Sequence, residues 1–524
     1  MSKSENAKLQ QLVNFLATRA HPIWMKRDTA ALDYAPILSR IGASNGRSSQ
    51  QGQMAKWVLI GDGTHGSGAF FDERAKITQQ LLDQGGFSAL AIEWDWPDVR
   101  ELDKCLRPSS AVRTKSGSRS AASAAFGTLG TATSNSRRGV RDADGGTAAA
   151  AVSDELRTRF GGRFPDFMWR TREFERFLQW AARHNADLRN HGRHHQQMQL
   201  YGLDMYSMMP SAEHLFADLE TSDLKSDQSD LSRLRSSLAC LTEGSHSALD
   251  DDSKRNPPIS GECAEQVEKS LRTFLRQGPK RYAYDGHENK DDDDRDRDRD
   301  DDGQRTARAG GRPEDDEFFN ALVVADMANY TRPDLDRSEA WHWNKREEHM
   351  ADVLDWLAKS VCPPSARFVV WAHNSHCWDA SATSQSDTDP EPTLSLGQVM
   401  RERHPGQTVH IGFLTYAGTV TGADDWGAPI KTKEVLPAQP GSYEYLLHCV
   451  AQRLGSPALY LDLQEPSVKR ALQELAPWQE ERAIGAVYHP EIPEEHHLEA
   501  DLSRQFDMIV FVDRTLASHV LRGL

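Results

Sequence analysis

The sequence contains no apolar segment long enough to cross a bilayer, and the stretch from Met1 to Asn6 opens no apolar leader. It is also poor in cysteine, with 6 among 524 residues. These cysteines are too scattered for paired metal ligands or a compact disulfide pattern. We therefore predict a cytoplasmic protein with reduced thiols and no membrane partner.

Hydrophobic residues and positive charge are also scarce. Only 38% of the residues are hydrophobic, which predicts that part of the chain does not pack into a core, and the formal net charge is -16. Nucleic acids and anionic membranes bind clustered Lys and Arg, so the negative charge argues against both as partners. A small neutral or cationic molecule fits better. With 524 residues the chain is still long enough to bury a large core.

Three stretches rich in Ser, Gly, Asp or Arg have the composition of disordered insertions: residues 109–153, 285–311 and 381–392. The Asp/Arg tract at residues 291–302 is interpreted as a solvated linker rather than a metal site. We divide the chain into an N-terminal helical or loop segment, residues 1–55, and a main domain, residues 56–524.

Short apolar runs alternate with helical patterns over the rest of the chain. The brevity of the runs and their β-branched or aromatic content predict buried strands at residues 57–60, 89–92, 200–203, 368–371, 409–413, 459–461, 484–488 and 508–512. The main intervening patterns predict helices at residues 70–84, 167–185, 343–359 and 443–454. Strands joined by helices of this length imply an α/β fold with a largely parallel sheet covered on both faces.

Polar residues follow the ends of these strands. Ligands of parallel sheets bind at the carboxyl ends of the strands, where this sequence has Asp62, His65, Glu93, Asp204, His373, His376, Thr415 and Tyr416. His65 lies in a turn flanked by glycine, residues 61–66, which allows close approach of a ligand to the backbone. Two or more histidines with several carboxylates are typical of a general acid/base site.

Each of these residues also has a structural interpretation. A single histidine after a strand is more often a hydrogen-bonded structural residue than a catalyst, and Glu93 could cap or pair with the helix that follows it. His373 and His376 could share a metal with Asp62 or Glu93, although no His-Glu-x-x-His motif is present. The G-x-S-x-G match at residues 42–46 lacks the flanking strand and helix of a nucleophile elbow, so we interpret it as a chance match in a loop.

Without a serine or cysteine nucleophile, a histidine can hydrolyse an ester by taking a proton from the attacking water. This chemistry needs a base, a carboxylate that orients the base, and a cation or donor that stabilises the oxyanion. His65 or His373 could be the base, and Asp62 or Glu93 the orienting carboxylate. Arg74, on the helix after the His65 turn, could be the cation.

Many sequence blocks resemble the erythromycin esterase family. The first is the turn from Gly61 to Gly66, with an arginine nine residues after its histidine, and the second is the strand end from Ala91 to Pro97. Further similar blocks follow in the family's order at residues 163–170, 201–207, 343–350, 371–376, 418–421, 440–444 and 482–485. So many blocks in one order are specific for the family.

The resemblance implies a three-layer α/β/α core with a helical roof over the cleft. It also implies that His65 is the water-activating base, and that Arg74, Glu93 and the pair His373 and His376 are further catalytic residues. The candidate substrate-binding residues are Asp204, Tyr206, Arg170, Asn344, Arg346 and Tyr416.

Two positions of the first block differ from the family pattern. Asp62 replaces a glutamate, so its carboxylate is one methylene shorter, and Ala69 stands where the family commonly has a second glutamate. A weaker alignment places His496 near the cleft.

We therefore predict a hydrolase in which water activated by His65 attacks an ester or lactone carbonyl of a small, hydrophobic, macrolide-like molecule, with no cofactor. Two alternatives stay open. The chain could be a family member that has lost catalysis and binds a small molecule or a partner, or it could be a metal-dependent hydrolase on the same scaffold.

Overall fold

The computed structural model describes residues 3–23, 34–42, 55–108, 141–158, 160, 163–221, 236, 238–242, 255–276, 313–384 and 391–521. Its strands are β1 (His21–Pro22), β2 (Trp57–Ile60), β3 (Ala89–Asp95), β4 (Gln199–Asp204), β5 (Phe368–Trp371), β6 (Thr408–Gly422), β7 (Lys431–Val435), β8 (Ala458–Asp462), β9 (Gln479–Arg482), β10 (His497–Ala500) and β11 (Met508–Thr515).

The helices alternate with these strands along the chain. They are α1 (Lys3–Leu16), α2 (Ala35–Arg40), α3 (Gly68–Gln84), α4 (Trp96–Leu106), α5 (Arg141–Thr158), α6 (Arg172–Asn190), α7 (Met208–Thr221), α8 (Gly261–Leu275), α9 (Pro313–Tyr330), α10 (Glu339–Trp356), α11 (Asn374–Cys377), α12 (Leu396–Arg403), α13 (Tyr443–Leu454), α14 (Pro466–Leu475) and α15 (Leu502–Gln505).

A mixed sheet forms the middle layer, and most of its strand pairs are parallel. Within the described residues its order is β1-β8-β11-β6-β2-β5-β3-β4, with β7 paired to β6. The pairs from β11 to β4 are all parallel, whereas β8, β1 and β7 are antiparallel to their neighbours. The parallel pairing places the carboxyl ends of β2, β3, β4 and β5 at one edge of the sheet.

Alternate residues along each strand enter two separate cores. On β2, Trp57 and Leu59 pack into one core together with residues of α7 to α10 and α13, whereas Val58 and Ile60 pack into the other with α3, α5 and α6. This alternation follows from the period of two along a strand. The predicted three-layer α/β/α fold with a largely parallel sheet is confirmed.

One predicted strand is wrong. Residues 484–488 are apolar, yet they form single bridges from Ile484 to Thr64 and from Val487 to Ala423 rather than a ladder. The segment lies beside the residues that follow β2 and β6, and only these isolated parallel bridges form there. The helix predicted from residue 167 begins instead at Arg172, because the Thr171 hydroxyl accepts from Phe174 N and caps the helix.

The structure also revises parts of the predicted insertions. Residues 141–153 belong to α5, whose inward face includes Val152 and Leu156, and Thr383 bridges to Ala500. The insertion predicted at residues 285–311 lies outside the described residues, as does Ser44 of the chance serine motif.

The prediction that all cysteines are reduced is wrong for one pair. Cys240 and Cys263 form a disulfide, which joins the short turn after Leu238 to α8. Spacing along the sequence did not show this pair because the two residues are 23 positions apart and are brought together by packing. Across the described residues, no helix is long and apolar enough to cross a membrane.

Candidate active site

The turn that carries His65 connects β2 to α3. Its glycines are required by close packing rather than by a left-handed backbone, because the glycines with positive φ lie elsewhere. A Cβ atom on Gly61 would lie 2.2 Å from Asn374 Oδ1, and one on Gly66 would lie 1.8 Å from the Thr421 carbonyl oxygen. The Ser67 hydroxyl accepts from Phe70 N and starts α3 directly after the turn.

His65 lies in the wall of a cleft and has an ionic neighbour on one side. Its Nδ1 atom is 3.6 Å from Asp62 Oδ1, and its ring centre is 4.7 Å from that of His373. In the described part of the chain, no group hydrogen-bonds to either ring nitrogen of His65. Burial lowers the pKa of His65 below its ordinary value, while Asp62 and Glu93 oppose this shift. His65 is therefore held as a neutral imidazole at pH 7.

Arg74 is not at the cleft surface. Its guanidinium is 1% exposed, forms an ion pair of 2.8 Å with Asp62 Oδ2, and lies against the rings of Phe71 and Trp371. Arg74 does not line the cleft, so its position does not support the predicted role as the cation that stabilises an oxyanion. Arg74 instead anchors the carboxylate beside His65.

His373 has protein partners on both ring nitrogens. Nδ1 accepts from Ser375 N at 3.2 Å and lies 2.8 Å from the Ser375 hydroxyl, while Nε2 lies 3.2 Å from the Ile484 carbonyl oxygen. Nε2 must therefore carry the proton. Burial lowers the pKa of His373 far below its ordinary value. His373 caps α11 and holds the segment at Ile484, so both of its ring nitrogens are occupied within the protein.

His376 lies between two carboxylates. Its Nδ1 atom is 2.6 Å from Glu347 Oε1 and its Nε2 atom is 3.1 Å from Glu93 Oε1. Burial alone would lower the pKa of His376, but the two carboxylates outweigh it and raise the pKa to about 10. The indole of Trp343 stacks on the imidazole at 4.9 Å. His376 is thus an imidazolium at neutral pH and is not a base.

Arg346 of α10 links the ends of β3 and β4. Its Nη2 atom donates to Glu93 Oε1 and Asp204 Oδ2, both at 2.9 Å, and its Nε atom donates to Asp204 Oδ1 at 3.0 Å. Arg163 donates to the same Asp204 Oδ2 at 2.8 Å. Burial would raise the pKa of Asp204, but Arg346 and Arg163 hold it well below its usual range.

Glu93 connects the hydrogen bonds of Arg346 to the backbone of His373. Its Oε2 atom accepts a hydrogen bond of 2.8 Å from His373 N. Burial would raise the Glu93 pKa, yet His376 and Arg346 outweigh it, so the pKa stays well below the ordinary value. Glu93 is a fixed anion that orders the cleft wall.

The cleft has a volume of about 670 Å³, within the range of small-molecule sites. The charged and imidazole side chains of the lining are His65, Glu93, Arg163, Arg346, His373 and His376, and Asn256, Ser375 and Ser384 are further polar lining residues. The other walls are mainly apolar and aromatic, from Phe164, Pro165, Met168, Tyr206, Trp343, Trp378, Trp426 and Leu498. The loop from Ala483 to Ala486 closes one side.

The structure therefore brings together His65, Glu93, His373, His376, Tyr206 and Arg346 at the cleft, with Asp62 and Asp204 directly behind them. Three predicted substrate-binding residues are elsewhere. Arg170 binds Asp166, Asn344 binds the backbone at Pro392 and Leu394, and Tyr416 stacks on His448. None of these three lines the cleft.

Several cleft residues were missed by the sequence reasoning. Arg163 and Phe164 begin the block at residues 163–170 that resembles the family, so the resemblance could have identified them as cleft residues. Trp426 lies between β6 and β7, in a polar loop whose sequence does not indicate a position in the cleft. His496, the weaker candidate, accepts from His489 N and is not part of the cleft lining.

No group of three or more His, Cys, Asp or Glu side chains within the described ranges is arranged to hold a metal ion. At the His373 and His376 pair, protein groups contact all four ring nitrogens. A metal bound by that pair would have to replace these contacts.

Comparison with known sequences decides the family. The erythromycin esterase family profile matches residues 82–515. The chain belongs to the erythromycin esterase family. Membership places it among hydrolases that act on small molecules. The matched region begins after the His65 turn, so the profile itself carries no statement about that turn.

Three solved structures share the fold over nearly the whole chain. A protein titled as a succinoglycan biosynthesis protein is 16% identical with a TM-score of 0.65, covering 98% of this chain and 99% of its own. A Bacillus cereus protein is 17% identical with a TM-score of 0.64, at 98% and 99% coverage. A mutant of the erythromycin esterase EreC in its open conformation is 15% identical with a TM-score of 0.55, at 96% and 100% coverage.

Proposed function

We propose that this protein hydrolyses an ester or lactone with a water molecule activated by His65. One observation carries the proposal. Of the three histidines that line the cleft, His373 and His376 have both ring nitrogens engaged, whereas His65 has no hydrogen bond to any described residue. A lowered pKa keeps His65 neutral, as a general base must be.

The reaction divides into two proton transfers. His65 takes a proton from water as the water oxygen attacks the carbonyl carbon, and the carbonyl oxygen takes up the negative charge. The imidazolium then gives the proton to the leaving alkoxide as the carbon–oxygen bond breaks. The products are a carboxylic acid and an alcohol, and His65 returns to its neutral form.

Asp62 is the group that stabilises the charged imidazole. The 3.6 Å separation between Asp62 Oδ1 and His65 Nδ1 is longer than a hydrogen bond. Catalytic hydrogen bonds are often long in a free enzyme and tighten when charge develops. Arg74 fixes the other carboxylate oxygen at 2.8 Å, so the shorter side chain of Asp62 remains directed at His65.

Arg346 is the cation proposed for the oxyanion in place of Arg74. It lines the cleft, and Glu93 and Asp204 hold its Nε and Nη2 atoms in fixed positions. Fixed donors stabilise a developing charge without reorganising during the reaction. The neighbouring imidazolium of His376 adds positive potential at the same wall.

The substrate that this cleft favours is large and mostly apolar. Phe164, Trp343 and Trp426 offer aromatic surfaces around a volume of about 670 Å³, which suits a molecule of drug size. A macrolide-like lactone meets this description. One structural neighbour is named for succinoglycan biosynthesis, so esters carried on a carbohydrate belong in the same substrate panel.

Mass spectrometry tests the proposal. Purified protein is incubated with macrolide lactones, aryl esters and acylated sugars, and each compound is monitored for the addition of one water. His65→Ala is compared with His195→Ala, which changes an exposed histidine. Substrate binding in a thermal-shift assay without any turnover would identify a binding protein instead. Activity that a chelator abolishes and a divalent ion restores would identify a metal-dependent hydrolase.

A further inference from the structure

The turn that follows β2 is held by a side chain outside the proposed catalytic group. Strand β2 ends at Ile60, and Gly61 N still donates to the Ile411 carbonyl oxygen of β6 at 2.8 Å. Backbone groups of alternate residues on a strand face the same side. The amide and carbonyl groups of Phe413 therefore face the place where β2 has left the sheet. Asn374, the first residue of α11, lies there.

The side-chain amide of Asn374 takes the place of the missing strand. Its Nδ2 atom donates to the Phe413 carbonyl oxygen at 2.9 Å, and its Oδ1 atom accepts from Phe413 N at 3.2 Å. The backbone N of Asn374 donates to the Asp62 carbonyl oxygen at 2.7 Å. The residue is fully buried, with 0% exposure. Asn374 therefore joins the backbone of the turn at Asp62 to the central strand β6.

Glycines on either side of Asp62 allow this contact. A Cβ atom on Gly61 would lie 2.2 Å from Asn374 Oδ1, and one on Gly63 would lie 2.5 Å from the Phe413 carbonyl oxygen. The turn thus passes directly over the hydrogen bonds between Asn374 and β6. Loss of the Asn374 amide would remove the support beneath the backbone at Asp62.

We propose that Asn374 is a positioning residue that holds Asp62 beside His65. The inference rests on the function proposed above, in which Asp62 stabilises the His65 imidazolium. Arg74 pairs with Asp62 Oδ2 at 2.8 Å and fixes the end of that side chain. Asn374 fixes the backbone from which the same side chain projects. Asn374 does not line the cleft, so it acts on the reaction through Asp62 rather than by touching the substrate.

A second buried asparagine provides a matched control. Asn185 of α6 also has 0% exposure, and its amide makes the same pair of hydrogen bonds to the backbone of one residue. Nδ2 donates to the Met198 carbonyl oxygen at 2.9 Å, and Oδ1 accepts from Met198 N at 2.7 Å. Neither of these two residues lines the cleft. Alanine at either asparagine should therefore lower stability by a similar amount, and only Asn374→Ala should impair catalysis.

Kinetics of the full chain, with a substrate that the wild type hydrolyses, measure the coupling to Asp62. Asn374→Ala should lower kcat by about tenfold or more and leave KM nearly unchanged, because displacing a catalytic group by about 1 Å can cost about 100-fold. Asn185→Ala should keep the wild-type kcat. In an Asp62→Asn background, Asn374→Ala should have little further effect, because residues that act through one interaction are not additive. A purely structural loss would lower kcat equally in both backgrounds.

A measurement without substrate separates this inference from the proposed hydrolysis. Nitrogen NMR of histidine-labelled protein at pH 7 reports which ring nitrogen of His65 carries the proton, and His65→Ala assigns the signal. The Asp62 carboxylate lies 3.6 Å from His65 Nδ1 and favours the proton there. Asp62→Asn and Asn374→Ala should both shift the proton toward Nε2, whereas Asn185→Ala should not.

If Asn374→Ala does not fold, Asn374→Ser is used with Asn185→Ser as its control. The inference is overturned if the Asn374 variant keeps the wild-type tautomer of His65, or if it lowers kcat as much in the Asp62→Asn background as in the wild type. Absence of hydrolysis by the wild-type protein would instead contradict the proposed function. The tautomer of His65 would still decide the role of Asn374.

Discussion

At the scale of single residues, hydrogen bonding divides three histidines into three roles. His373 is a neutral cap, His376 is a buried cation and His65 is a neutral imidazole with no hydrogen bond in the described residues. The sequence around each histidine does not reveal its protonation state, because the groups that decide it, such as Ile484 for His373 and Glu93 for His376, are distant in the sequence. The sequence left His65 and His373 as candidates for the base, and the proposal selects His65 because no described residue hydrogen-bonds to its ring.

The pH dependence expected for the proposed hydrolysis is set by His65. Burial lowers its pKa, and the neutral form is the active one. The value of kcat/KM should therefore be constant around pH 7 and fall toward acid only below pH 6.5, the ordinary value for histidine. A pH–rate profile measured with a macrolide or ester that the protein hydrolyses checks this expectation. An acidic limb centred above pH 6.5 would contradict the assignment.

The stability conferred by His376 should depend on pH in the opposite direction. Its pKa is raised from 6.5 to about 10 in the folded protein, so its contribution is full below pH 6.5 and is lost as pH rises toward 10. We expect His376→Gln to lower the free energy of unfolding by about 3 kcal/mol at pH 6, and by less at pH 10. Denaturant unfolding at both pH values measures this.

An exposed histidine provides the control for that experiment. His195→Gln should change the unfolding free energy little at either pH, because His195 is at the surface. If the effect of His376→Gln were equal at pH 6 and pH 10, the ion pairs with Glu347 and Glu93 would not be its cause.

At the scale of elements, apolar runs predicted strands well where a strand has two sheet neighbours. Strand β2 has the predicted bounds because each of its residues pairs with both β5 and β6. The run at residues 484–488 has the same composition but no strand beside it, so it forms a cleft wall. An apolar run in the sequence indicates that the residues are buried. Whether a second strand lies beside them depends on the whole fold.

The His65 turn depends on the absence of a side chain at Gly66. A methyl group there would lie 1.8 Å from the Thr421 carbonyl oxygen, so the backbone would have to move. Gly66→Ala should lower the free energy of unfolding by about 3 kcal/mol. Gly485→Ala is the matched control, since a Cβ there meets nothing within 4 Å. Equal stabilities of the two variants would show that the turn is not closely packed.

The loop between β6 and β7 should contribute to substrate binding. Its Trp426 is 61% exposed, packs edge to face on Phe164 at 4.9 Å, and lines the cleft. Trp426→Ala should raise KM by roughly fivefold, since aromatic contacts contribute on the order of 1 kcal/mol beyond area burial, and leave kcat nearly unchanged. Trp478, 42% exposed and away from the cleft, provides the control variant Trp478→Ala. A similar KM for both variants would argue against this contact.

At the scale of the whole molecule, the sequence was sufficient for the layered α/β fold and for the family, but not for the long-range contacts of the site. The link between Arg346 and Glu93 joins residues 253 positions apart, and Arg163 reaches Asp204 across 41 positions. The place of Arg74 after the His65 turn predicts a position in the cleft, yet the aromatic core around Phe71 and Trp371 encloses it. Trp371 comes from β5, so the sequence around Arg74 does not show that the guanidinium is enclosed.

The most direct test of the role proposed for His65 compares ester or lactone hydrolysis by wild-type protein and by His65→Ala at pH 7. The wild type should add one water to a substrate, detected by mass spectrometry, and the variant should react at least about 100-fold more slowly while remaining folded. Equal rates of water addition by the two proteins would contradict the claim that His65 activates the water.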